Sequence, residues 1–228
     1  LFRSKRKNAA SDLAALPAGI IEMTRMPDAN VAARNMSVTS SGRFHPNGEL
    51  FMTAGLDKAI RLFHIDCERN PKVQSVLMPD MPIYCARFSR EGSEVIATGR
   101  RKHFYTYDLV SGAITKIPGV VGRDEKSLEE FEVSPDGSVM AIIGTDGFIL
   151  LLNGKSKQLM GTMRAPCRVA SIAFSYDSTY IYASCGDGRV YTFDVRTRTC
   201  LDKFADEGAI HGTAIAASWG GQYLCAGR

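Results

Sequence analysis

Arg100, Arg101 and Lys102, with His103 beside them, form a run of cations in a 228-residue chain whose net charge is +4. Guanidinium and ammonium groups gathered in one exposed turn suit phosphate binding, in which each cation neutralises a phosphate and releases its counterions. Plain solvation suits them as well, because charged residues on exposed turns are common. Both readings stay open. Near the N-terminus Lys5, Arg6 and Lys7, with Arg3, offer the same chemistry. Carboxylates at Asp57, Asp146 and Asp187 each stand shortly before an apolar or aromatic run. There a carboxylate accepts backbone N–H bonds and holds a hairpin closed, so their expected role is structural.

Other reactive groups are dispersed. The histidines His45, His64, His103 and His211 stand apart, and no G-x-S-x-G elbow, phosphate-binding loop, H-E-x-x-H or paired Cys/His nucleophile occurs. Cys67, Cys85, Cys167, Cys185, Cys200 and Cys225 are widely spaced, with no C-x-x-C pair and no histidine at zinc-finger spacing. Most lie in apolar or strand-like runs, where a small buried hydrophobe is expected. The reading is therefore of no catalytic, cofactor-binding or metal-ligating residue and no small-molecule substrate.

The elements that position these residues repeat. An apolar strand, a small polar turn, a second strand ending in small residues, a tight turn and a third strand recur four times. The first unit holds Phe44-His45-Pro46-Asn47-Gly48, Phe51-Met52-Thr53-Ala54-Gly55 and Ile60-Arg61-Leu62-Phe63. The fourth holds Phe174-Ser175-Tyr176-Asp177-Ser178, Ile181-Tyr182-Ala183-Ser184 and Val190-Tyr191-Thr192-Phe193-Asp194. Phe44 to Phe88 is 44 positions, Val133 follows after 45, Phe174 after 41, and Ala217 opens a fifth unit 43 later. A strand-only period of about 40 to 45 residues identifies propeller blades. In this frame Arg100-Arg101-Lys102 fill the turn between the second and third strands of blade two, where the other three blades place Asp57, Asp146 and Asp187.

Each unit is followed by a fourth strand, such as Val73–Leu77 or Cys200–Phe204. Residues 1–36 are read as a basic segment that allows a short helix at 12–16 and an outer strand at Ile20-Ile21-Glu22-Met23 able to close a ring. Residues 37–228 are read as blades one to five. Four and a half blades cannot close a ring, so the expected whole is a longer, seven-bladed protein. The segment Pro118–Glu130, charged and glycine-containing, is expected to be a solvated surface loop. No apolar run approaches the roughly 18 to 20 residues of a membrane-crossing helix, so no membrane partner is expected.

These units resemble the WD-repeat family, an all-β propeller fold. The third strands here end in Phe63-His64, Tyr107-Asp108, Leu152-Asn153 and Phe193-Asp194 in place of Trp-Asp, and Trp219 lies elsewhere. The strings from Thr53-Ala54-Gly55-Leu56-Asp57-Lys58 to Asn70-Pro71-Lys72-Val73-Gln74-Ser75, with Phe131–Ser138 and Ala183–Gly188, are similar to a nucleolar branch of that family. That resemblance implies a non-catalytic scaffold of the small-subunit processome, a nuclear and nucleolar particle that processes 18S ribosomal RNA. It also implies as partners other processome proteins and the pre-rRNA/U-three snoRNA ribonucleoprotein, with Arg100, Arg101, Lys102, Lys5, Arg6 and Lys7 as candidate contacts. An alternative is a substrate receptor of a cullin-type ubiquitin ligase, because Phe193-Asp194-Val195-Arg196 resembles the Trp-Asp-x-Arg of such receptors.

Overall fold

The computed structural model describes residues 25–66, 68–205, 208–218 and 220–227. Lys5, Arg6 and Lys7, the helix expected at 12–16 and the strand expected at 20–23 lie outside them. The described chain forms four antiparallel four-stranded meanders and one two-stranded sheet. The first comprises β1 (Thr39–Phe44), β2 (Leu50–Gly55), β3 (Ala59–His64) and β4 (Lys72–Leu77). The second runs through β5 (Cys85–Phe88), β6 (Glu94–Thr98), β7 (Phe104–Asp108) and β8 (Ile114–Ile117). The third holds β9 (Phe131–Val133), β10 (Val139–Ile143), β11 (Phe148–Asn153) and β12 (Leu159–Arg164). The fourth holds β13 (Val169–Phe174), β14 (Tyr180–Cys185), β15 (Arg189–Asp194) and β16 (Cys200–Ala205), and β17 (Ala214–Ala217) pairs with β18 (Leu224–Gly227). First strands of successive sheets neighbour one another, β1 to β5, β5 to β9, β9 to β13 and β13 to β17. The arrangement is a partial β-propeller, with the blade order expected from the repeats.

Side chains alternate between the two faces of a strand, so each middle strand serves two interfaces. In β11, Ile149 and Leu151 pack with Ile172, Phe174, Ala183 and Phe193 of blade four. Leu150 and Leu152 pack the other way, with Ile96 and Phe104 of blade two. Tyr105 and Tyr107 likewise join blade one's Met52, Ile60 and Leu62. The apolar core therefore lies between blades. Outer strands lack a second neighbour: every residue of β16 is exposed, as is all of β4 except Val76.

Turn chemistry repeats with the blades. Gly48 and Gly137 take φ of 78° and 75°, as the Pro-Asn-Gly and Pro-Asp-Gly turns require. Ser89, Ser134, Ser175 and Ser218 each accept, through the hydroxyl, the N–H five residues ahead. In blade one His45 takes that position and reaches across to the Gly92 carbonyl of blade two, 3.0 Å away.

The segment Pro118–Glu130 departs from its expected solvation. Leu128 has no exposed surface, its chain bridges to Gly99, and it packs beside Phe104, Phe131 and Leu150. Apolar burial and a backbone bridge outweigh the segment's charge, part of which is itself buried at Glu125. Leu128→Ala is expected to cost about 2–5 kcal/mol by leaving a cavity. Val121→Ala, at a residue 85% exposed, should change stability by less than about 0.5 kcal/mol. Urea midpoints of the two variants check this, and equal midpoints would restore a solvated loop.

Candidate functional site

The 2→3 turns and the crossovers between blades share one end of the propeller, and all three acidic turn residues and the cation run lie there. In blade one Asp57 accepts the Ala59 N–H at 3.3 Å and pairs with Arg61 at 2.6 Å, four residues on in β3. In blade four Asp187 accepts the Arg189 N–H at 3.1 Å and the Tyr191 hydroxyl at 2.9 Å, again four residues on. Burial works against the Asp187 carboxylate, but the Tyr191 and Arg189 donors outweigh it and hold its carboxyl below the usual range. The rule is one carboxylate closing the turn and gripping the third strand.

Blades two and three meet the same need from elsewhere. Four residues before Tyr105 stands Arg101, and the carboxylate that accepts from the Tyr105 hydroxyl is Asp80, in the crossover before β5. Asp80 also accepts from Lys116 Nζ at 2.7 Å, and Lys116 and Tyr105 together hold its carboxyl at about 2. In blade three the third-strand position is Leu150, which has no polar tip. Asp146 is exposed, sits in the left-handed region with φ of 55° and makes no hydrogen bond to a described residue, so it does not lock its hairpin. The structural role expected of Asp146 falls to Glu125 of the 118–130 segment, which accepts from both Thr145 N and Thr145 Oγ1 at 2.8 Å. Arg123 pairs with the same carboxylate. Burial opposes ionisation of Glu125, and these donors overcome it, holding its carboxyl low.

The cation run is exposed at all three positions. Arg100 pairs with Glu129 at 3.1 Å and lies 4.6 Å over the Tyr84 ring, and Lys102 pairs with Asp124 at 2.6 Å. The Arg101 guanidinium makes no hydrogen bond or ion pair to a described residue, while its backbone N–H donates to the Gly99 carbonyl at 2.8 Å. Such exposed pairs are weak, screened by solvent and salt, and do not withhold the cations from a polyanion. Further cations continue along the same end: Arg123 and Arg164 flank the Phe148 ring at 3.6 and 5.1 Å, and Arg168 lines a cleft between blades three and four. The arrangement presents a row of cations, two of the run paired with carboxylates, along one surface. Among the described residues, no nucleophile is paired with a base at this end. His103 is half-buried on the Tyr105 ring, His211 bonds the Gly186 carbonyl at 2.9 Å, and His64 is exposed at the end of β3.

Sequence spacing placed His64 where third strands otherwise end in Asp or Asn. Asp108, Asn153 and Asp194 each cap the following turn, accepting N–H groups two and three residues ahead. In blade one Asp66 does this two positions later, accepting from Glu68, Arg69 and Asn70, which hold its carboxyl at about 2. The Asp194-Val195-Arg196 stretch thus makes the same cap as other blades, and nothing in its geometry sets it apart as a receptor motif.

The WD domain, G-beta repeat family model matches residues 33–64 and 157–194. The chain is 45% identical over 212 residues to the U3 small nucleolar RNA-associated protein 18 homolog of Arabidopsis thaliana, covering 93% of this chain and 39% of that protein. The Homo sapiens homolog is 44% identical over 221 residues, covering 96% and 40%. The Saccharomyces cerevisiae U3 small nucleolar RNA-associated protein 18 is 25% identical over 254 residues, covering 96% and 42%. The chain spans about two fifths of the length of each of these relatives.

The exchange of carboxylates between turns is testable. Glu125→Ala should cost about 1–3 kcal/mol by leaving the Thr145 N–H and the Arg123 guanidinium without their acceptor. Asp187→Ala should cost about 1 kcal/mol for its backbone and tyrosine bonds, and Asp146→Ala should leave stability within about 0.5 kcal/mol of the parent. Thermal melts of the three rank them, and an Asp146 variant as damaged as the Asp187 one would contradict the assignment.

Proposed function

From a WD-repeat chain that resembles the U3 small nucleolar RNA-associated protein 18 relatives over nearly all its length, we propose that it is a scaffold of the small-subunit processome. In that role it joins other processome proteins to the pre-rRNA/U3 snoRNA ribonucleoprotein, in the nucleus and nucleolus, and carries no catalytic activity of its own. The observation that carries this reading is the 45% identity across 93% of the chain to a relative named for U3 small nucleolar RNA association. The turns and crossovers agree with it. They present backbone held by the fold and side chains that are cationic or polar, which is a surface for docking and not a reaction site.

RNA contact is assigned to the exposed end of blade two. Arg101 is the cation of the run most accessible to a phosphate, since Arg100 and Lys102 hold Glu129 and Asp124. Phosphates displace these weak pairs by charge and by the release of counterions. The basic cluster Lys5, Arg6 and Lys7 extends the same chemistry in the proposal.

Purification of the tagged full-length protein from cells tests the function. Recovery of U3 RNA with processome proteins is the expected outcome, and recovery of a cullin adaptor without them would overturn it. The contact is tested by replacing Arg100, Arg101 and Lys102 with Ala, which avoids setting new acids against Glu129 and Asp124. Affinity for single-stranded pre-rRNA should fall uniformly across sequences, and the slope of log affinity against log salt should flatten by about 0.7 for each phosphate that is no longer neutralised. The melting temperature should hold, because the turn is exposed. An unchanged slope would leave these residues to solvation alone.

A further inference from the structure

We propose that Cys167, Cys185 and Asp187 form a zinc site that ties the crossover entering blade four to that blade's 2→3 turn. The two thiol sulfurs and a carboxylate oxygen all lie within 4.8 Å of one another. Tetrahedral zinc takes sulfur at about 2.3 Å and carboxylate oxygen at about 2.0–2.2 Å, which places neighbouring ligand atoms roughly 3.5–3.8 Å apart. The donors need to close in by at most about 1.3 Å, within the reach of side-chain rotation. Three protein ligands leave the fourth position to water.

The backbone that carries the donors is fixed independently of any metal. Gly186 N donates to the Arg168 carbonyl at 2.9 Å, bonding the turn directly to the crossover beside Cys167. The Cys185 carbonyl accepts from both Gly188 N and Gly212 N at 3.2 Å. On its other side the crossover packs its Cys167 carbonyl against Gly147, where no side chain fits. Asp187 keeps its bonds to Arg189 N and the Tyr191 hydroxyl, and a carboxylate has lone pairs to spare for a cation. Held donors and a hydrogen-bonded outer partner are what a metal site requires.

Ligand softness selects the ion. Two sulfurs disfavour magnesium and calcium and favour zinc, and a closed-shell ion without geometric preference accepts the mixed set. Burial follows an entry path, with Cys185 buried, Cys167 half-buried and Asp187 exposed. Zinc-finger spacing gave no hint of this, since Cys167 lies in the crossover before β13 and Cys185 at the end of β14, and they meet only through the blade.

Binding replaces two thiol protons: each S–H bond breaks, an S–Zn bond forms, and the protons pass to buffer, with no change in oxidation state. Protons and the metal compete for the same sulfurs, so affinity should climb with pH. The test is cobalt titration of the full chain under a non-thiol reductant, read by the visible bands of tetrahedral thiolate coordination. One equivalent should be taken up, zinc should bleach the bands, and Cys167→Ser should weaken binding at least about tenfold. Cys200→Ser, on an exposed outer strand, should leave the titration unchanged. Cys185 is fully buried, so if its Ser variant unfolds, the half-buried Cys167 variant decides, with circular dichroism checking its fold. Absence of bands at one equivalent, bands that survive Cys167→Ser, or a Cys167–Cys185 disulfide formed in place of cobalt uptake would each overturn the site.

Discussion

Every feature of this chain depends on the need to bury both faces of the middle strands. In β10, Met140 and Ile142 turn toward blade two while Val139 and Ala141 turn toward blade four. A sheet apolar on both faces cannot be covered by water, and a four-stranded sheet alone has only water to offer. Each blade therefore needs a neighbour on either side. The cores form between repeats, and stability becomes a sum over adjacent pairs. Residues 27–36 extend this logic in blade one, where Asn35 meets Arg61 and the Pro27 carbonyl accepts from Asn70.

Once burial has fixed the stack, the ends of the blades are left to polar chemistry, and one requirement is met there by three different means. A carboxylate must satisfy the backbone of the 2→3 turn or grip the strand that follows. Blades one and four supply it from the turn itself, blade two from the preceding crossover, and blade three from the 118–130 segment. The donors differ too, an arginine in one case, tyrosines in two and a threonine in the last. The exposed chemistry at this end is built from what the fold has not already used. Where blade two's turn carries no acid, its cations are free to face outward.

The repeats were legible because burial imposes period two within a strand and roughly 43 residues between blades, and both survive in the residue types. Outer and middle strands could be told apart for the same reason. Long-range substitution was not legible. Glu125 stands 20 residues from Thr145, and Asp80 stands 25 from Tyr105. Nothing local to either turn records such a partner. Asp146 matched its slot by type yet does not serve it, and His64 matched a slot whose work Asp66 does two residues later. Charge misled at 118–130, where a single leucine and one glutamate anchor a segment otherwise written for solvent. The pairing of the cation run with Glu129 and Asp124 was hidden in the same way, by chain distances that only the folded blade closes.

Alternation in β11 carries a further consequence. The strand reads Phe-Ile-Leu-Leu-Leu-Asn, so the side chains offered to its two neighbours are nearly interchangeable. Sliding it by one position would exchange isoleucine and leucine for leucine and leucine, a change that hydrophobicity scarcely registers. The strand's phase must then be set by its ends. Asn153, gripping the N–H groups of Lys155 and Ser156, marks one boundary, and Gly144 N, donating to the Phe148 carbonyl at 2.8 Å beside the Glu125 anchor, marks the other. Polar residues at the rim thus act as frame markers for an apolar message that would be ambiguous without them.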